Sequence, residues 1–412
     1  MNICCRIVFL STFAVQNKSK LEFSKMTDTK TFIKSVAIAI MMFFTLPLAA
    51  NHHEAHEEGE GHEESTNVES VQNHEAVHLE DKSHDAHETG KFVPGDFIMG
   101  HIADAYEWHI LDKGDFHLSI PLPVIVYSQT SGFNVFMSSN FHHGHADYKN
   151  FRISPEGDNK GKVVEIIEGE EVLPIDISIT KNVLALFVSV ILIMWIFFGV
   201  AKTYAKNPNK APKGMQSLME PLIVFVRDDI AKSSIGEKNY MRFTPYLLTV
   251  FFFIFINNLL GLIPIFPFGA NLTGNISVTL VLALLTFIIT TFVSNKNYWT
   301  HIINAPGVPW WLKFPIPLMP VVELMGVFIK PFVLMVRLFA NITAGHIIAL
   351  GFYSLIFIFG EMNVGLGYGV SVVSIAFTIF MTILELLVAL IQAYVFTLLS
   401  ALYFAAATEE AH

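Results

Sequence analysis

Residues 332–346 read FVLMVRLFANITAGH, and the arginine inside that run decides how the whole chain must be read. Arg337 lies within an apolar stretch, 316–352, too long and too hydrophobic for anything but a membrane-buried segment. Placing a guanidinium at the centre of a bilayer costs roughly 2.5 to 3.5 kcal/mol, so an arginine there marks a functional site whose partner has to be found. Glu323, Lys330 and His346 fall on the same stretch, and Glu385 and Gln392 on the next one. So many polar groups on two neighbouring membrane segments point to an ion path rather than a passive anchor.

Composition agrees with that reading. Of 412 residues, 52% are hydrophobic and only 15% charged, the balance of a polytopic membrane protein with a soluble appendage. The net charge of −10 misleads as an average, because the acidic residues crowd ahead of the first apolar segment. Nucleic acid is therefore no partner. The only cysteines are Cys4 and Cys5. Both fall inside a predicted presequence, so disulfides and thiol catalysis are excluded for the mature chain.

The chain divides into four parts. In residues 1–50, Lys30 and Lys34 precede an apolar run, 35–48, that ends in Ala49 and Ala50; this is the order of a secretory signal peptide cleaved near Ala50, with Met26 as the expected start. Residues 51–91 carry eight histidines between His52 and His87 among many acids, a composition predicted to be disordered. His52, His53, His56 and His62 could chelate a metal weakly, without a fixed ligand geometry. Residues 92–174 hold β-rich runs at 116–127, 133–137 and 162–167 between Gly and Asn turns, predicting a small strand-rich module. His142, His143 and His145 read as a polar loop there. Residues 175–412 form the membrane domain.

Five apolar segments cross that domain, at 179–200, 243–263, 276–294, 316–352 and 369–405. The last two, about 37 residues each, would be about 55 Å long as helices, beyond a ~30 Å hydrocarbon core, so they must tilt strongly or break. Residues 215–231 mix Glu220, Arg227, Asp228 and Asp229 with aliphatics, predicting an amphipathic surface helix. The fold class is thus an all-α polytopic membrane protein with a small exported strand-rich amino-terminal module. Lys202, Lys206, Lys210, Lys213, Arg227, Lys232, Lys238 and Arg242 separate the first two segments, and Lys296 and Lys313 the third and fourth, whereas 264–275 and 353–368 carry no Lys or Arg. The basic loops are expected in the cytoplasm, together with the carboxyl terminus.

Glu323, Lys330 and Arg337 are spaced by sevens and make one stripe along a helix. Arginine stays protonated, so it blocks a direct proton leak and lowers the pKa of a carboxylate brought beside it. Histidine and glutamate, in contrast, take up and release protons.

The segment 332–346, with its R-L-F-x-N-x-x-A-G core, closely resembles the signature helix of subunit a, the proton-channel stator subunit of the F-type ATP synthase. NNLLGLIP at 257–264 and the Glu385, Gln392 pair fit the same family, and the resemblance covers about 174–405. It implies that Arg337 faces the carboxylate of a rotating c-ring, with Asn341 and Gln392 as polar neighbours. It places Glu323 on the cytoplasmic access path and His346 with Glu385 on the outer one. Many bacterial members carry that acid and histidine exchanged; this arrangement is the one found in mitochondrial relatives. The implied partners are the c-ring, subunit b of the peripheral stalk and the lipid bilayer of a bacterial inner membrane, with no cofactor. The expected role is non-catalytic, because no phosphate-binding loop G-x-x-x-x-G-K-[ST] occurs in the chain. Two rivals are weaker. A secondary transporter should show internal repeats, which are not seen; a membrane-anchored metal-binding protein would place function in 51–90, so deleting those residues should abolish its function yet spare ATP synthesis.

Overall fold

The computed structural model describes residues 92–412 apart from 114–115, 145, 207–210, 264–266, 304–317 and 410–412. The presequence, the histidine-rich segment with His52, His53, His56 and His62, and the predicted loop residues His145, Lys210 and Lys313 lie outside the described residues.

Ahead of the predicted β-rich runs, the strand-rich module opens with a helix, α1 (Pro94–Ile102). Pro94 starts it because a first-turn residue needs no amide hydrogen. Eight short strands follow: β1 (Glu107–Lys113), β2 (Phe116–Pro121), β3 (Pro123–Ser128), β4 (Gly132–Met137), β5 (Phe151–Ile153), β6 (Val163–Ile167), β7 (Glu170–Val172) and β8 (Ile175–Asp176). They pair antiparallel in three small sheets, β1-β2, β4-β3-β8 and β5-β6-β7. The predicted β-rich runs are all strands. Alternation along β3 and β4 turns Val124, Val126 and Phe136 inward onto Phe141, Phe151, Val163 and Tyr106. Glu165 is buried beneath this layer, where Ser131 donates to it at 2.8 Å and Ser128 also bonds it. Two residues of the predicted polar loop, His142 and His143, adopt left-handed φ angles of 43° and 59°.

Among the described residues, five helices are long and apolar enough to cross a membrane: α2 (Lys181–Lys206), α4 (Tyr240–Gly261), α5 (Ile276–Val293), α7 (Leu318–Met362) and α8 (Val364–Thr408). Between them lie α3 (Met215–Val224) and a short α6 (Lys296–Ile303). The predicted surface helix is α3, which continues through a π-helical stretch, Phe225–Lys232, and a last turn, Ser233–Ile235. Gln216, Met219, Ile223, Val226 and Ile230 repeat at helical spacing and are buried. They pack on α2, α4 and α8, so the apolar face serves the protein's own core. The centre of that core is α4, where Phe251, Phe252, Ile254, Leu247 and Leu248 are fully buried.

The largest departure from the sequence reading concerns the last two segments. Residues 353–368 were expected to be a loop, yet α7 and α8 are 45 residues each and only Asn363 separates them. Each is about 67 Å long at 1.5 Å per residue. Asn363 turns the chain by accepting the Gly365 N–H at 2.7 Å with its side chain, an N-cap. Two glycines then let the arms meet: a Cβ on Gly367 would stand 2.8 Å from the Gly360 backbone. Gly367→Leu is therefore expected to force the hairpin apart at about 1–3 kcal/mol, the usual cost of overpacking. Thermal unfolding of the purified complex in detergent measures this, and an unchanged midpoint would refute the close approach. At the opposite end, Asn295 donates to the carbonyls of Ala407 and Thr408, at 2.8 and 3.1 Å, closing the end of α8.

Candidate proton path

The hairpin of α7 and α8 carries every residue predicted for proton translocation. Glu323, Lys330 and Arg337 lie along one side of α7, where Lys330, Arg337 and Asn341 are exposed and Glu323 is half-buried. Around them Phe328, Phe332, Val333 and Val336 are exposed as well. Among the described residues, no carboxylate lies within ion-pair reach of Arg337. The stripe thus sets two cations, Lys330 and Arg337, in an apolar surface that the described residues leave uncovered. Gln392 of α8, expected beside Arg337, is buried.

His346 and Glu385 do meet. His346 Nδ1 stands 3.5 Å from Glu385 Oε1, an ion-pair distance but long for a hydrogen bond, with side chains only 18% and 11% exposed. Among the described residues Glu385 Oε1 is buried without a hydrogen-bond partner, an oxygen able to take a proton. The helical rise puts this pair about 13 Å from Arg337 toward the Asn363 turn, and Glu323 about 21 Å from it the other way.

Glycines make room for the pair. A Cβ on Gly345 would fall 2.8 Å from Glu385 Oε1, and one on Gly261 would stand 3.8 Å from His346 Nε2 and 3.3 Å from the Ala270 carbonyl. Gly345→Ala is expected to displace the Glu385 carboxylate and slow proton flux several-fold, measured as acidification of inverted vesicles. Unaltered flux would mean that the carboxylate moves aside without consequence.

The NNLLGLIP run also has a structural job that its sequence did not disclose. Asn258 donates to the Ala389 carbonyl at 3.3 Å and accepts from Thr273, tying α4 to α8 one turn from Glu385. Thr343 donates to the Gly274 carbonyl at 3.3 Å, tying the arginine helix to the same connection. Asparagines inside an apolar run were the signal, since buried amides need partners.

Toward Glu323, a small pocket is lined by Thr290, Thr291, Tyr298, Lys330 and Tyr403. The Tyr403 hydroxyl donates to the Lys330 carbonyl at 3.4 Å, and the Lys330 ammonium lies 6.0 Å from its ring centre. Burial, with a smaller contribution from the charge of Glu323, raises the pKa of the Tyr298 phenol. Neither tyrosine was singled out in the sequence, because one phenol among so many apolar residues gives no periodic signal. Among the described residues no group of three or more His, Cys, Asp or Glu is placed to hold a metal.

The model of the family described as ATP synthase A chain matches residues 183–405. Residues 97–182, nearly the whole module, match a family described only as a domain of unknown function. ATP synthase subunit a of Chloroherpeton thalassium is 44% identical over 239 residues, 57% of this chain and 67% of that protein. ATP synthase subunit a 2 of Chlorobaculum tepidum is 46% identical over 244 residues, 58% and 65% of the two chains. The subunit a of Anaeromyxobacter dehalogenans is 40% identical over 56% of this chain and 58% of its own. The chain belongs to the ATP synthase A chain family and is a proton-translocating stator subunit of the ATP synthase membrane sector.

Proposed function

We propose that the α7 and α8 hairpin supplies two offset half-channels separated by Arg337. Protons arrive at His346 and Glu385, pass to a carboxylate on a rotating partner, the c-ring, and leave past Glu323 and the Lys330, Tyr403 pocket. Arg337 lies between the two halves, where it lowers the pKa of the partner's carboxylate and so forces its proton off. One charge moving through ~100 mV releases about 2.3 kcal/mol, the energy each step can turn into rotation. ATP chemistry resides on other subunits, and subunit b of the peripheral stalk holds this one still.

The observation that carries the reading is the uncovered stripe. A permanently charged side chain on an exposed membrane-helix face is tolerated only when a counter-charge covers it, and a ring of carboxylates answers that need. The Lys and Arg of the loops between α2 and α4 and between α5 and α7 support a bacterial inner membrane location with those loops in the cytoplasm. The amino-terminal module and the Asn363 turn then lie on the periplasmic side, and the carboxyl terminus in the cytoplasm. Purification of the chain from membranes in mild detergent tests the assignment: the c-ring should accompany it, and its absence from an otherwise intact preparation would refute the role.

A further inference from the structure

Beyond His346, α7 runs on for about four turns, and the module's first helix lies on that extension. The Phe97 ring of α1 sits 6.3 Å from Tyr353 and 6.2 Å from Phe357. Phe92 packs on Phe357 at 5.0 Å, and its N–H donates to Glu361 Oε1 at 2.7 Å. At about 100° per residue, and counting from Arg337, His346 points about 180° around α7, Tyr353 about 160°, Phe357 about 200° and Glu361 about 240°. The helix α1 therefore covers the same face as His346, starting about 10 Å further out, and stands away from the Arg337 stripe.

Its position is fixed from the other side as well. Asp104, just after α1, accepts from the Asn182 N–H at 3.0 Å and from the Thr180 hydroxyl at 2.7 Å, capping α2 from a distance in sequence. Lys181 Nζ donates to the His101 carbonyl at 3.2 Å, and its N–H to the Ala105 carbonyl at 2.9 Å. A short helix thus bridges the start of one membrane helix and the outer end of another. Two polar groups are exposed at this junction: His101 of α1, with its ring 4.6 Å from Phe97, and Glu361 of α7.

From this geometry we propose that α1 of the amino-terminal module forms the outer wall of the path by which protons reach His346 and Glu385, with His101 facing the path. The inference rests on the reading of that pair as the outer exchange site. Nothing in the chemistry of a subunit a hairpin requires such a wall; the module adds it.

The test uses the whole ATP synthase in proteoliposomes, with reactive native cysteines of the complex replaced by serine as background. Single cysteines are placed at His101 on α1, at Leu350 on α7 just outward of His346, and at Phe133, which is 65% exposed on β4. Each is treated from the module side with a membrane-impermeant cationic methanethiosulfonate, and passive proton flux is compared before and after modification of the same variant. The expected result is a loss of about tenfold for His101→Cys and Leu350→Cys, with Phe133→Cys unchanged. A His101→Cys that is fully modified, or that resists modification, while flux stays normal overturns the wall and leaves the exchange site standing if Leu350→Cys is blocked. Normal flux through modified Leu350→Cys overturns the exchange-site reading itself. Loss of flux with Phe133→Cys would show a general effect of the module and also defeat the proposal.

Discussion

Arg337→Ala is expected to abolish proton-driven ATP synthesis while leaving membrane insertion intact. The substitution removes a cost to burial of roughly 2.5–3.5 kcal/mol, so the protein should accumulate at least as well as the parent. What disappears is the permanently charged guanidinium on the exposed face between the His346 pair and Lys330 with Glu323. Without it a partner carboxylate can pass protonated from one half-channel to the other, and flow is no longer tied to release. Passive proton leak should rise as synthesis falls. Arg337→Lys should fail as well, since a compact ammonium can deprotonate when desolvated and lacks the planar fork of a guanidinium. ATP synthesis and proton leak in inverted vesicles measure both effects, and parental synthesis in either variant would remove Arg337 from the mechanism.

The second large effect concerns the outer pair. His346→Ala or Glu385→Ala is expected to slow proton flux by about tenfold or more, equivalent to at least about 1.4 kcal/mol on the barrier. Each variant leaves one titrating group in a pocket built for two, at the 3.5 Å separation of the parent. The exchange His346→Glu with Glu385→His restores one acid and one imidazole to the same pocket and should recover part of the flux. Comparing the double variant with the two single alanine variants separates the coupling of the pair from the damage each change does alone. An exchanged protein no better than the worse single variant would argue against a shared path. Gly345 and Gly261 bear on the outcome, because the room they leave was shaped for a carboxylate on α8 and an imidazole on α7.

Much of this architecture was legible beforehand for a simple reason. Length and hydropathy are properties of a membrane helix by itself, so α2, α4 and α5 stood out, as did the seven-residue spacing of Glu323, Lys330 and Arg337. The His346, Glu385 contact was anticipated only through a family resemblance, since the two residues are 39 positions apart and no local rule brings them together. What the sequence hid depends on partners distant along the chain. Asn258 was visible as a polar residue in an apolar run, but its bond to Ala389 crosses 131 positions. Residues 353–368 were misjudged because three glycines and an asparagine usually signal a loop. Here Gly360 and Gly367 serve the contact between two helices, and Asn363 alone makes the turn. Tyr298 and Tyr403 were missed because a hydroxyl at the edge of a core has no periodicity of its own.

The absence of any break in α7 has a mechanical consequence. Arg337 and His346 sit on one uninterrupted rod, and its prolines, Pro320 and Pro331, both precede them. Nine residues of hydrogen-bonded backbone hold them about 13 Å apart along the axis, and no hinge lies between them at which that spacing could change. The helix acts as a gauge: wherever a rotor carboxylate is discharged, the loading position is set at a constant offset from it. Length errors between intake and discharge, which a jointed segment would accumulate with thermal motion, are confined here to the stretching of an α-helix.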